Sequence, residues 1–584
     1  MSNLSLLQKW LKENNIDVFI VPRTDEFLSE YIASYAERLK WVSNFSGSAG
    51  YAIIMQDTAA IFVDGRYTEQ VKQQVNKNDF VIEHFNNFSL WLKKNLHNKL
   101  RIGIDPFLHS KNNLTVLLRA LNIQDKAIIY LKKNPIDLLW KEQPARPNSK
   151  AFIHKLSYSG KRIVSKIKEI KKILKSNDCD YYILTALDSI AWLLNLRGND
   201  VLYFPINLAY VIITPDKKVE LFIDKKKISS IRNDLANNVN FNDFEKINYF
   251  ILNIPKQKTI GIDKIKTPIF FENICKRDGL KVKYVNDPCV YPKAQKNKIE
   301  LKGARLANLR DGISMTKFLY WLKNEMIIKD TNEIIASQKL FSFRKNNDLF
   351  YSLSFDTISA IGKHAALPHY RVTKQSNQQF QNNNIYLVDS GAQYFDGTTD
   401  ITRTIIIGQP TTEHKDRFTR VLKGHIALAS INFKIGTKGS TLDSFARKSL
   451  QEIGCDYDHG TGHGIGSFLC VHEGPQRIAK SQKLSNNQIK ENMILSNEPG
   501  FYQKNQYGIR IENLVITKKS KNNNLFFETI TFAPIDTNLL EIKLLTKKEL
   551  LWINQYHQRV YDKLSNHLTI VEKKWLRKIT QPIN

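Results

Sequence analysis

The stretch Tyr386–Ile407, YLVDSGAQYFDGTTDITRTIII, decides the architecture of the region that contains it. One apolar run ends at Asp389, another follows Asp400, and Asp396-Gly397 between them is a hairpin turn signal. A β-hairpin here brings Asp400 back beside Asp389. Two carboxylates at the ends of buried strands are costly unless positive charge lies between them, and a metal ion is the simplest source of it. Taken alone, Asp389 reads equally well as a turn former ahead of Ser390-Gly391.

The same logic recurs in Met493–Thr517, MILSNEPGFYQKNQYGIRIENLVIT, with Glu498 at the end of one apolar run and Glu512 within the next. Pro499-Gly500 and the polar YQKNQYG predict the connection of a second hairpin. An ion pair with Arg510 is the structural alternative for Glu512; residues two apart on a strand share a face, so Arg510 would equally orient a ligand set. Between the hairpins, HGTGHGIGSFLCVHEGP places His459, His463 and His472 in a Gly-rich stretch, and glycine permits the close backbone approach that a packed site loop needs. A lone histidine is more often a core residue than a ligand, but three in one short apolar loop point to a site. His369, in KHAALPHYRV, precedes the first acid pair. One imidazole with four carboxylates is an oxygen-rich set suited to Mn²⁺, Co²⁺ or Fe²⁺ rather than to a thiolate-style zinc site. Carboxylates shared between two ions about 3.5–4 Å apart would acidify a bridging water into a nucleophile at neutral pH.

Working outward, 584 residues are too many for a single hydrophobic core. Residues 1–150 alternate strand-like runs (DVFIVP, YAIIM, AAIFVDG, RIGID) with amphipathic helices, an α/β pattern, and Leu4, Leu7, Trp10 and Leu11 fall at helical spacing. After a linker bearing Pro144 and Pro147, residues 151–292 repeat the order of helix, strand and a later (I/V)GID strand, as a duplication does. Pro288 and Pro292 punctuate the second boundary, and a long helix is predicted from about Lys296 to Leu322, opening a third region at 293–584. Near the C-terminus Thr546 and Glu549 form a capping box ahead of Leu550, Ile553, Tyr556, Val560, Leu564 and Leu568, which predicts one final amphipathic helix.

A chain with 42% hydrophobic residues is ordinary for folded domains, and no run approaches the roughly 20 apolar residues of a membrane span. The N-terminal residues lack the pattern of a signal peptide. Cys179, Cys275, Cys289, Cys455 and Cys470 are scattered without a C-x-x-C pair, which argues against a disulfide framework and suits a reducing cytosol. The net charge of +30 comes from 86 basic against 56 acidic residues; the excess Lys is spread along the chain beside much Asn and Ile, so it is read as solvated surface rather than as a nucleic-acid or membrane footprint.

In order along the chain, D-x10-D, H-G-T-G-H-G, V-H-E-G-P, N-E-P-G and G-I-R-I-E-N together resemble the creatinase/aminopeptidase ("pita-bread") superfamily, and within it the three-domain cytosolic Xaa-Pro aminopeptidases. VPRTDEFLSEY, ERLKWVSNFSGSAG and DGRYTEQ resemble that group's first domain, and ALDSIAWLLNLRGND its second. The resemblance implies two α/β creatinase-like domains, 1–150 and 151–292, before a pita-bread α+β catalytic domain at 293–584 whose C-terminal helical extension supports a homodimer. It further implies a cytoplasmic enzyme with two divalent ions, Mn²⁺ first and Co²⁺ or Zn²⁺ as alternatives, held by Asp389, Asp400, His463, Glu498 and Glu512, with Asp400 and Glu512 bridging. Glu498 would also shuttle a proton, His369 and His472 would stabilise the oxyanion, His459 would shape the pocket, and Arg510 would support the ligands from behind. The implied substrates are peptides with proline second, whose scissile bond is a tertiary amide without N–H that general proteases grip poorly. A prolidase limited to dipeptides is the nearest alternative; a non-catalytic binding module of the same fold is the other.

Overall fold

The computed structural model describes residues 2–95, 100–121, 127–482 and 485–584. The chain forms two compact units, one of Met1–His154 with Lys161–Cys289 and one of Lys155–Gly160 with Val290–Asn584.

In the first unit the apolar runs become two six-stranded sheets. The first contains β1 (Val18–Pro22), β2 (Tyr51–Met55), β3 (Ala59–Val63), β4 (Val81–His84), β5 (Ile102–Ile104) and β6 (Ile128–Tyr130), in the order β4-β3-β2-β1-β5-β6. The second contains β7 (Tyr181–Leu184), β8 (Tyr210–Ile213), β9 (Val219–Phe222), β10 (Val239–Asn242), β11 (Thr259–Ile262) and β12 (Lys281–Tyr284), in the order β10-β9-β8-β7-β11-β12. The topology is one and the same, down to the strand senses: β1 runs antiparallel to β2 and parallel to β5, as β7 does to β8 and β11. The sequence repeat of helix, strand and later (I/V)GID strand is thus matched by a repeated sheet, whose strand order the sequence pattern did not give. β1 is apolar throughout because both its faces are covered: Phe19 and Val21 pack with Leu4, Leu7 and Leu11 of the N-terminal helix Asn3–Glu13, while Val18 and Ile20 pack with Leu114 and Leu117.

The long helix of the second unit, Lys298–Asn324, is started by an Asn297–Glu300 capping box. It packs on a three-stranded antiparallel sheet of β13 (Ile358–Ile361), β14 (Asn384–Ser390) and β15 (Ile401–Ile407), in that order. Tyr386, Val388, Ile401 and Ile405 meet Met315, Phe318 and Leu322 of the helix. A six-stranded sheet follows, in the order Asn432–Lys434, Asn524–Thr529, β21 (Asn513–Lys519), β18 (Ile494–Asn497), β16 (Gly462–Gly464) and β17 (Glu473–Ile478). Between β18 and β21 the chain makes a separate two-stranded ribbon of β19 (Gly500–Gln503) and β20 (Tyr507–Arg510). The stretch read from sequence as a plain connection is therefore itself paired.

Two further expectations are refined. The first hairpin turns at Phe395-Asp396, since Tyr394 pairs with Gly397. Gly397 is extended, and what it supplies is close approach: a Cβ there would lie 3.0 Å from the Cβ of Ala307 and 3.2 Å from the Cα of Ala304. At the C-terminus the predicted helix spans Lys547–Leu564, with the Thr546–Glu549 capping box in place and Ile553, Tyr556, Val560 and Leu564 buried. It stops short of Leu568, and a second capping box, Thr569–Glu572, starts another helix, Ile570–Ile579. Among the described residues no helix is long and apolar enough to cross a membrane.

Candidate metal centre

β14 and β15 pair with Asp389 opposite Thr402 and Ser390 opposite Ile401, so Asp389 and Asp400 become diagonal neighbours on one sheet face. β18 and β21 end their pairing at Asn497 opposite Asn513, which places Glu498 and Glu512 side by side just beyond the last rung. The main chain joins the two hairpins there: Glu512 N–H donates to the Thr402 carbonyl at 3.2 Å. Thr402 Oγ1 in turn donates to Glu512 Oε2 at 2.8 Å.

His463 enters from β16, its N–H held by Ser496 Oγ at 3.0 Å. Its Nδ1 lies 3.1 Å from the Gly464 carbonyl, which can only accept, so the ring proton sits on Nδ1 and the Nε2 lone pair is left for the pocket. Nε2 lies 3.3 Å from Glu498 Oε1 and 3.5 Å from Asp400 Oδ2. Ligand atoms of Asp400, His463 and Glu512 all fall within 4.8 Å of one another. Asp389 Oδ1, Asp400 Oδ1 and Glu512 Oε1 are buried with no hydrogen-bond partner among the described residues. Acceptors thus face acceptors, and a cation between them resolves the conflict; the chemistry of the set fits a divalent metal.

Electrostatics describe the same conflict. Burial, with Glu512, Asp389 and Glu498 nearby, pushes the Asp400 carboxyl well above the usual carboxylate range; burial, with Glu498 and Asp389, does the same to Glu512. Glu498 is pushed up to about 7 by burial, against the opposing pull of Arg510.

Arg510 forms its ion pair with Asp389, Nη2 to Oδ2 at 2.7 Å, so the candidate pair with Glu512 gives way to a bond across the two hairpins. Nη2 also donates to the Pro368 carbonyl at 3.1 Å, which fixes the chain beside His369. Nη1 donates to Tyr502 OH at 2.5 Å. Tyr502 OH then lies 2.8 Å from His459 Nε2, while His459 Nδ1 donates to the Gly460 carbonyl at 2.8 Å. His459 therefore meets the carboxylates through Tyr502 and Arg510. The His472 ring packs edge-on against His463, centroids 4.4 Å apart.

Several supporting residues escaped sequence reasoning. Buried Glu333 accepts from Ile361 N and His364 Nδ1 on one oxygen, and from Tyr370 OH and Gln378 N on the other, at 2.8–3.0 Å, so it anchors the loop that carries His369. Tyr502 was hidden in a stretch read as polar connection. Arg403 alone carried a signal, a charge inside the apolar run TRTIII.

Residues 302–519 match metallopeptidase family M24 and 523–583 the C-terminal region of that peptidase. Residues 4–127 and 142–300 each match the creatinase/prolidase N-terminal domain, in keeping with the repeated topology of the first unit. The chain is 38% identical over 612 residues to a probable Xaa-Pro aminopeptidase P of Coprinopsis cinerea, covering 99% of this chain and 98% of the relative. Identity is likewise 38%, over 608 residues, to the probable Xaa-Pro aminopeptidase P of Paracoccidioides lutzii, with 99% and 98% covered. Among solved structures, the X-prolyl aminopeptidase of Caenorhabditis elegans, described as a cytosolic enzyme with a di-nuclear active site, superposes with a TM-score of 0.92 at 33% identity, covering 97% of this chain and 95% of that one. The prolidase of Pyrococcus horikoshii shares the fold alone, with a TM-score of 0.51 at 24% identity over 64% of this chain and 99% of that one.

Proposed function

This chain belongs to the Xaa-Pro aminopeptidase P family within metallopeptidase family M24, and from that premise we propose that it releases the N-terminal residue of peptides whose second residue is proline. The observation that carries the proposal is the convergence of Asp400, His463 and Glu512, with carboxylate oxygens of Asp400 and Glu512 that have no hydrogen-bond partner among the described residues and with His463 Nε2 turned toward them. Asp389, Asp400, His463, Glu498 and Glu512 would hold two divalent cations, with Mn²⁺ the ion that the oxygen-rich set favours. When bound, such ions polarise the scissile carbonyl and make water a nucleophile at neutral pH.

The chain's own groups do the rest. Glu498 has Oε1 engaged by the Ser496 hydroxyl at 3.0 Å, leaving Oε2 to take the proton from the attacking water and pass it to the departing proline nitrogen. His472 and His369 donate to the oxygen of the tetrahedral intermediate. His459 and Arg510, joined through Tyr502, set the wall of the pocket. The substrate's free α-amine, drawn to the carboxylates and the ions, restricts cleavage to the first bond. We assign residues 1–150 and 151–292 to the two creatinase-like domains and 293–584 to the catalytic domain, and place the enzyme in the cytoplasm as a homodimer supported by its C-terminal helices.

Substrate length separates this activity from that of a prolidase. With Mn²⁺-loaded protein, mass spectrometry of products from a proline-containing pentapeptide, the matching Xaa-Pro dipeptide and an Ala-for-Pro pentapeptide should show release of Xaa from the first, slower turnover of the second and poor turnover of the third. Rapid cleavage of the dipeptide with the pentapeptide untouched would make the protein a prolidase; cleavage of none of them would leave a binding module of the same fold.

A further inference from the structure

The fold leaves an open seam behind the second acid pair; Arg403 closes it, and a residue of the C-terminal extension holds Arg403. Ile511 and Glu512 interrupt the strands, so the Glu512 carbonyl has no rung of the β18–β21 ladder to accept from. Arg403 Nη1 supplies the missing donor, 2.7 Å from that carbonyl and 2.8 Å from the carbonyl of Thr402. Arg403 is buried, lies on the sheet face opposite Asp389 and Asp400, and has no carboxylate within ion-pair distance among the described residues. Its Nη2 is fixed by Asn513 Oδ1, the Ala533 carbonyl and Tyr556 OH, each at 2.9 Å, and its Nε by the Pro534 carbonyl at 3.1 Å.

Tyr556 lies on the helix Lys547–Leu564, stacked on Trp552 with an interplanar angle of 4°. The other acid is tied into the same network. Asn513 Nδ2 donates to His425 Nε2 at 3.1 Å, His425 Nδ1 donates to the carbonyl of Asn497 at 3.1 Å, and Asn497 immediately precedes Glu498.

We propose, on the strength of the metallopeptidase function above, that Tyr556 is a positioning residue for the metal centre, acting through Arg403 on the main chain that presents Glu512. The C-terminal extension is thereby part of the site's support, because a phenol that holds one edge of a guanidinium fixes the carbonyl contacts at the other edge. Support of this kind shifts metal affinity by about 10- to 100-fold when it is removed.

The test is Mn²⁺ affinity of the full-length apoprotein, measured by competition with a chelating dye beside its urea stability. Tyr556→Phe keeps the ring on Trp552 and deletes the hydroxyl; it should weaken Mn²⁺ binding about tenfold. Val560→Ala, one turn further along the same buried face, should lower stability yet hold Mn²⁺ affinity within about twofold of wild type, since an apolar side chain takes no part in the hydrogen bonds that hold Arg403. Wild-type affinity in Tyr556→Phe, or equal weakening in Val560→Ala, overturns the inference while leaving the proposed function standing. Wild-type protein that takes up no metal overturns both. If Tyr556→Phe does not fold, Trp552→Ala, which unclamps the phenol without removing it, should weaken Mn²⁺ binding several-fold, and unchanged affinity there is equally fatal.

Discussion

Burial beside one another raises the carboxyls of Asp400, Glu498 and Glu512, and the ion pair of Arg510 is spent on neighbouring Asp389, so added positive charge is what lets the three ionise together at neutral pH. Under the proposed function, some of these residues would hold the ions and others would face the substrate, and substitutions should tell them apart. Ligand atoms of Asp400, His463 and Glu512 lie within 4.8 Å of one another, close enough to share an ion, and Asp400→Ala should remove bound metal and activity together. His472 packs at a steep angle against the ring of His463, centroids 4.4 Å apart, and under the proposed role as oxyanion donor His472→Ala should retain metal and lose roughly 10²–10³-fold in rate. Metal content and turnover measured on one preparation check both; an empty site in His472→Ala would move that residue among the ligands.

The strands that carry Asp389 and Asp400 meet the helix Lys298–Asn324 through large side chains, but the turn between them is seated on it through glycines. A Cβ on Gly303 would lie 2.1 Å from the Asp396 carbonyl oxygen, a main-chain atom that cannot rotate away. Arg310, two turns along the helix, pairs with the Asp396 carboxylate and pins the turn from the other side. Gly303→Ala should therefore push the turn off the helix and cost about 1–3 kcal/mol of stability, as overpacking does. Chemical denaturation of the apoprotein measures this, and a variant as stable as wild type would show that the turn yields without strain.

Across the whole molecule, acid should act through buried imidazoles as well as through the carboxylates. Burial lowers His557 to about 4 from an ordinary value near 6.5, and Nε2 is committed as an acceptor to Ile535 N at 3.1 Å. The unfolded chain binds a proton that the folded protein refuses, so this group's contribution to stability is present above pH 6.5 and is lost as pH falls toward 4, at about 1.4 kcal/mol per pH unit. His557→Gln retains an acceptor and removes the titration. Its stability relative to wild type, followed by urea denaturation, should rise as pH drops from 6.5 to 4.5; a pH-independent difference would mean that His557 titrates normally. Taking the difference between the two proteins cancels the opposite response of Asp400 and Glu512 in the metal-free site.

The sequence by itself determined both α/β sheets' strand pattern, the two acid-bearing hairpins and the helix Lys547–Leu564, because these rest on period-two alternation, turn chemistry and capping, which are written within a few neighbouring residues. It also held the five candidate ligands, since acids stranded in apolar runs are anomalous wherever they occur. What tertiary structure alone decided is which distant groups complete them. Arg510 meets Asp389 across 121 residues and Arg403 meets Tyr556 across 153, separations that leave no mark on local pattern. Glu333 looks like any first-turn helix acid until folding strips it of water and four donors converge on it. A buried polar group finds its partner only when the chain has been brought together in space, and burial is what makes that partnership obligatory.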